Sequence, residues 1–93
     1  MNHSIPTLLL NDAGQGFREE NNSMSGSTTQ WPSALAIAAT WSTEAAIEWG
    51  VAMGAEFKGK GANVQLGPGL CVSRIPNNGR TFEYLSGEDP VLG

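Results

Sequence analysis

A chain of 93 residues makes one small domain, and folding hides only about 60–65 % of the surface of so short a chain, which leaves a thin core. Charged residues make up 15 % and apolar residues 40 %, with 12 glycines, so the chain reads as globular and loop-rich rather than fibrous or disordered. The net charge of -4, with Arg18, Lys58, Lys60, Arg74 and Arg80 scattered, argues against nucleic-acid binding, and a lone Cys71 and a lone His3 exclude an internal disulfide and a Cys/His zinc set.

In chain order, Ile5 to Leu10 is an apolar run closed by the turn-forming Asn11-Asp12-Ala13-Gly14-Gln15-Gly16, and it reads as a buried strand ending in a loop. Leu8-Leu9-Leu10 is too short for a signal core or a membrane span, so neither a targeting signal nor a membrane partner is expected. Residues 19–30 are polar and read as a solvated connection up to Trp31-Pro32. The two N-x-S triplets, at Asn2 and Asn21, matter only in a secreted chain. Ser33 to Thr40 fits either a short helix or a buried extended piece.

The next segment is a predicted helix starting at Thr43, with Ser42 as its cap and Glu44 suited to the positive end of its dipole. At 100° per residue, Ala46, Trp49, Gly50, Met53, Gly54 and Phe57 share one broad side, with Ile47 and Val51 at its margin, and Glu44, Glu48 and Glu56 lie opposite. Such a stripe suits packing against a sheet, and Gly50 and Gly54 would permit close approach of a neighbour. Gly59-Lys60-Gly61 stops the helix, and Ala62 to Leu66 reads as a second strand, stopped by Gly67-Pro68-Gly69. Strand, helix, strand is the pattern of a right-handed unit with parallel strands. Residues 67–89 then form a loop rich in Gly, Pro and Asn, of a length that is usually functional or disordered.

Two features invite a chemical reading. Residues 54–60 match the first seven positions of a phosphate-cradling loop, but Gly61 replaces the final Ser or Thr. The match also falls at a helix C-terminus, where the dipole repels anions, so a nucleotide-binding unit is disfavoured. The second feature is Asp12, at the end of the first strand, with Arg18 six residues on and Arg80 in the loop after the second strand. Parallel strands would bring all three to one end of the sheet, where α/β proteins bind ligands. A carboxylate that accepts from hydroxyls, beside guanidinium donors, suits a polyhydroxylated ligand such as a sugar; a plain ion pair and a local Arg80–Glu83 pair remain open alternatives.

Three ordered blocks carry a resemblance: "LLLNDAGQGFR" at 8–18, the stretch from "WPSALAIAATW" to "NVQLGPG" at 31–69, and "RIPNNGRTFEYLSGEDPVLG" at 74–93. Together they resemble the N-terminal part of the glycoside hydrolase family 3 catalytic barrel. The resemblance implies an α/β fold, the first two strand–helix units of a (β/α)8 TIM-type barrel, with residues 1–93 a partial domain. It implies retaining hydrolysis of O-glycosyl bonds in β-glucosides, β-xylosides or related sugars, β-N-acetylglucosaminides among them, without a cofactor. It also implies that Asp12, Arg18 and Arg80 bind the sugar in the subsite next to the cleaved bond. The first block departs from the family's usual Asp-Gly-Pro run, with Asp12-Ala13-Gly14 in its place, a change that bears on the aim of Asp12.

Retention requires two carboxyl groups about 5–5.5 Å apart. In the family both come from further along the barrel, so the resemblance implies no catalytic carboxylate within these 93 residues and an inactive chain in isolation. It also implies that the chain needs the remainder of the barrel for stable folding, because an open parallel sheet leaves an edge and apolar surface uncovered. Many relatives are secreted or periplasmic. The expectation of a different class is a non-catalytic truncated or remnant product.

Overall fold

The computed structural model describes residues 4–19, 21–85 and 87–93; His3, the first two residues of the Asn2 triplet and Glu20 lie outside the described residues. Strand β1, Leu10–Asp12, pairs in parallel with β2, Val64–Leu66, in the register Leu10↔Val64, Asn11↔Gln65 and Asp12↔Leu66. The parallel pair agrees with the strand–helix–strand reading, but β1 begins later than the apolar run predicts. Ile5 to Leu9 form no regular strand and are exposed, Ile5 at 91 %. An apolar run becomes a buried strand only where both of its faces are covered, and no described element covers these residues. They are held through Asn63 instead, whose Oδ1 accepts from Leu9 N–H at 2.7 Å while its Nδ2 donates to the Thr7 carbonyl at 2.9 Å.

The ambiguous 33–40 segment resolves as helix α1, Ala34–Ala38, with the Ser33 hydroxyl accepting from Ala36 N–H at 3.2 Å. The chain leaves α1 through Trp41, an exposed residue at φ 54°, which is unusual for a bulky side chain. Helix α2, Thr43–Gly59, follows, with the Ser42 hydroxyl accepting from Ala45 N–H at 3.1 Å, as the sequence predicts. Its C-terminus closes at Lys60 and at Gly61, whose φ of 92° a side chain would resist. Residues 54–59 thus lie inside α2, and Lys60 Nζ donates to the Ser27 carbonyl and hydroxyl at 2.8 and 3.0 Å. The segment lies at the C-terminal end of α2, where the backbone amides are already bonded within the helix, rather than at a helix N-terminus, where a phosphate would be held.

The predicted face of α2 is buried at Trp49, Met53 and Phe57, with Ala46 packed against the same cluster. These residues meet Ala13, Phe17, Ala34, Ile37 and Leu85 in one core, and Phe17 and Phe57 pack edge to face at 5.3 Å. Gly50 and Gly54 do not serve the close approach expected of them, because among the described residues nothing lies within 4 Å of where their Cβ atoms would be. Ile47 and Val51, at the margin of the stripe, are exposed.

Glu44 is the acidic residue in the first turn of α2, and its carboxylate accepts from the hydroxyls of Ser42 and Thr43 at 3.1 and 3.4 Å. Its own backbone amide first, and these hydroxyls next, hold its pKa below the ordinary value of 4.5. A depressed carboxylate pKa contributes stability that is present above the unfolded value and is lost as pH falls through the folded one. Glu44→Gln is therefore expected to lower Tm at neutral pH, with the gap to the parent closing once pH falls below the folded pKa. An equal gap at about pH 7 and about pH 3 would contradict this.

The region predicted as one long loop contains a second parallel pair, β3, Gly69–Leu70, and β4, Tyr84–Leu85, joined through a 3-10 turn at Thr81–Glu83. Two-residue strands carry too little periodic pattern to be read from sequence. Helix α1 packs against β4 and the 3-10 turn, so the loop folds back onto the core, to which β4 contributes Leu85.

Candidate functional site

Asp12 ends β1, and the loop after it returns through Phe17 to Arg18. Phe17 is driven into the core by its apolar ring, and that anchor turns the neighbouring Arg18 outward. The Arg18 Nη1 atom donates to Asp12 Oδ2 at 2.9 Å, with both side chains largely exposed. Such a pair in solvent contributes about 0–1 kcal/mol to stability, so its presence is not accounted for by folding energy. Among the described residues the other guanidinium nitrogens of Arg18 make no hydrogen bond.

Asn11 lies between two exposed neighbours on β1 and points inward, 6 % exposed. Its Oδ1 accepts from Arg18 N–H at 2.9 Å and its Nδ2 donates to the Arg18 carbonyl at 3.0 Å. One amide side chain therefore closes the 12–18 loop by pairing both main-chain groups of Arg18. Sequence reasoning passed over Asn11 as a turn residue. The available signal was parity, since a strand that turns Asp12 to solvent must turn residue 11 to the core.

Arg80 sits at the start of the 3-10 turn, where its N–H donates to Asn78 Oδ1 at 2.9 Å. Its Nε donates to Glu83 Oε1 in an i,i+3 ion pair, and its guanidinium lies 6.0 Å from the centre of the Tyr84 ring. The hydrogen bond to Glu83, and then its charge, raise the Arg80 pKa above its ordinary value, so the group stays cationic. Held by Nε, Arg80 keeps both terminal nitrogens free of hydrogen bonds among the described residues. The local Arg80–Glu83 pair anticipated as a purely structural alternative is thus real, and it leaves the donors that a ligand would use unoccupied.

These groups share one cleft. Asp12, Arg18, Arg80, Glu83 and Tyr84 line an open cavity of about 360 Å³ at the C-terminal end of β1 and β2, with Leu66 and Gly69 in its wall. Gly69 stands against the Tyr84 ring so closely that a Cβ there would come within 2.5 Å of Tyr84 Cδ1. Gly67, at φ 156°, likewise leaves room for Ala13, since a Cβ would fall 2.9 Å from the Ala13 methyl group. The side chain that Ala13 adds to the first block is therefore absorbed in the core, and Asp12 still faces the cleft.

Two carboxylates line this cleft, Asp12 and Glu83, and each is engaged by an arginine. Three of the remaining acidic side chains are also engaged. Glu44, in the first turn of α2, accepts from the Ser42 hydroxyl at 3.1 Å, Glu56 accepts from Thr29 N–H at 3.2 Å, and Glu19 accepts from the Thr28 hydroxyl at 3.2 Å. Among the described residues no cluster of His, Cys, Asp and Glu has the makeup of a metal site, and no helix is long and apolar enough to cross a membrane.

Comparison with known proteins adds to this geometry. Residues 1–92 match the family model described as the glycosyl hydrolase family 3 N-terminal domain. The chain is 38 % identical to beta-glucosidase BoGH3A of Bacteroides ovatus, an alignment covering 95 % of this chain and 13 % of that protein. It is 36 % identical to thermostable beta-glucosidase B of Acetivibrio thermocellus, over 95 % of this chain and 12 % of the relative. It is also 38 % identical to a beta-glucosidase of Rhizobium radiobacter, over 95 % of this chain and 11 % of the relative. The chain thus spans about a tenth of the length of the curated relatives it matches. No solved structure matches it.

Proposed function

The chain belongs to the glycosyl hydrolase family 3 N-terminal domain family, a domain of TIM-barrel type, and we propose that it is the sugar-gripping part of a retaining β-glucosidase. The observation that carries this reading is the convergence of Asp12, Arg18 and Arg80 on one cleft at the C-terminal end of two parallel strands. In this reading the substrate is a β-glucoside or oligosaccharide. Asp12 accepts hydrogen bonds from sugar hydroxyls, and the free donors of Arg18 and Arg80 bind other hydroxyls of the same ring. Glu83 holds Arg80, and Tyr84 offers the apolar wall against which a sugar face lies.

Residues 1–93 form about the first two strand–helix units of the barrel. The nucleophile and the acid/base, two carboxyls that must stand about 5–5.5 Å apart across the glycosidic bond, come from elsewhere in the barrel. The engagement of both cleft carboxylates by arginines supports this division of roles. The exposure of Leu8, Leu9, Leu10, Leu66 and Leu70 supports the requirement for the rest of the barrel, since apolar surface of this extent is ordinarily covered.

The test is the activity of the full-length gene product on a chromogenic β-glucoside, with the anomer of the released sugar followed by NMR. Hydrolysis with retention is expected. A product that leaves β-glucosides intact but cleaves β-xylosides or β-N-acetylglucosaminides would keep the mechanism and change the sugar, and one inert on all three would overturn the reading.

A further inference from the structure

We infer that Asn11 is a positioning residue for sugar binding, acting through the main chain of Arg18; the inference rests on the reading of this cleft as a sugar subsite. Asn11 is the buried polar side chain of the described core, and burying an amide is unfavourable unless its groups are paired. It is paired with a single residue, Arg18, through both the N–H and the carbonyl, at 2.9 and 3.0 Å. These two bonds span the stem of the 12–18 loop, which carries Asp12 at one end and Arg18 at the other. They are partly buried, whereas the Asp12–Arg18 ion pair that they support is exposed.

The consequence is a fixed geometry at an exposed site. A solvent-exposed ion pair costs side-chain entropy to hold in one arrangement and by itself is worth little. A shift of about 1 Å in a binding group is enough to cost about 10²-fold in rate. Pinning the Arg18 backbone to strand β1 removes that freedom before the sugar arrives. Asn11 does not line the cleft, whose polar groups come from Asp12, Arg18, Arg80, Glu83 and Tyr84.

The test is a double-mutant cycle on the full-length protein, read as kcat/KM on a chromogenic β-glucoside. Asn11→Ala is expected to lower kcat/KM by about 10-fold or more in the parent and by no more than about 2-fold in an Arg18→Ala background, because contacts acting through one group are not additive. Asn11→Asp keeps the size and the acceptor while removing the amide donor to the Arg18 carbonyl, and it is expected to fall between parent and alanine variant with an unchanged fold by circular dichroism. Amide exchange gives a readout apart from activity: the Arg18 N–H should exchange at least about 10-fold faster in Asn11→Ala.

An equal loss in both backgrounds would show a merely structural role, and an unchanged Arg18 exchange rate would show that the pinning is absent; either overturns the inference while leaving the sugar reading intact. A parent protein inert on every β-glycoside overturns the sugar reading and the inference with it.

Discussion

Asp12→Ala in the full-length protein is expected to lower kcat/KM on a β-glucoside by about 10²–10⁴-fold. A carboxylate that accepts from two hydroxyls makes charge-assisted hydrogen bonds worth about 1.5–3 kcal/mol each, and each 1.36 kcal/mol is tenfold in rate. Asp12 is exposed and outside the core, so this substitution leaves the packing of Phe17, Trp49, Met53 and Phe57 untouched and the protein folded. Asp12→Asn separates charge from shape. It retains one acceptor oxygen and loses the attraction to Arg18, and it is expected to recover only part of the activity. Retention of the parent kcat/KM by Asp12→Ala would remove Asp12 from the sugar site.

Arg80→Ala is expected to cost about 10²-fold in kcat/KM, and Arg80→Lys to restore less than about a tenth of that loss. The reason lies in how the guanidinium is divided. Its Nε is committed to Glu83, which leaves the two terminal nitrogens as a fork directed by that bond. Lysine has no separate atom for the Glu83 contact, so it cannot be held by the carboxylate and donate a planar fork at the same time. Full activity in Arg80→Lys would show that a positive charge, rather than a directed pair of donors, is what this position supplies. Glu83→Gln tests the same arrangement from the other side. A loss smaller than that of Arg80→Ala is expected, since the amide oxygen of Gln still accepts from Nε.

The chemistry of these predictions depends on an arrangement only partly visible in the chain. Helix α2 was legible at both ends, because a serine cap at Ser42 and a Gly-Lys-Gly stop act locally and require no knowledge of the rest of the fold. Its buried face was legible at Trp49, Met53 and Phe57 for the same reason, since a 3.6-residue period is a property of the helix itself. The glycines on that face were misjudged. Close approach requires a neighbouring element, and periodicity says which side of a helix is apolar without saying whether anything meets it.

The site shows the same division. Asp12, Arg18 and Arg80 were identifiable as candidates from residue type and from their place after strands. Their sharing one cleft depends on the parallel register of β1 with β2 and on the return of residues 80–84 over the sheet end, built by the two-residue strands β3 and β4. Asn11 was hidden within a turn signal because Asn is common in turns for reasons unrelated to burial. Its function depends on a bond to a residue seven positions away, through a loop whose path the sequence does not specify.

By itself, the sequence determined the capped helix with its buried stripe and the candidate polar residues. These follow from composition and from interactions within a few residues of one another. Only the tertiary structure decided that Ile5 to Leu9 stay outside the sheet, that Ala13 fits against Gly67, that Asn11 pins Arg18, and that Arg80 is held by one nitrogen with its fork free. Each of these is a contact between segments distant in the chain or around a loop, where steric fit and hydrogen-bond geometry, rather than residue preference, select the outcome.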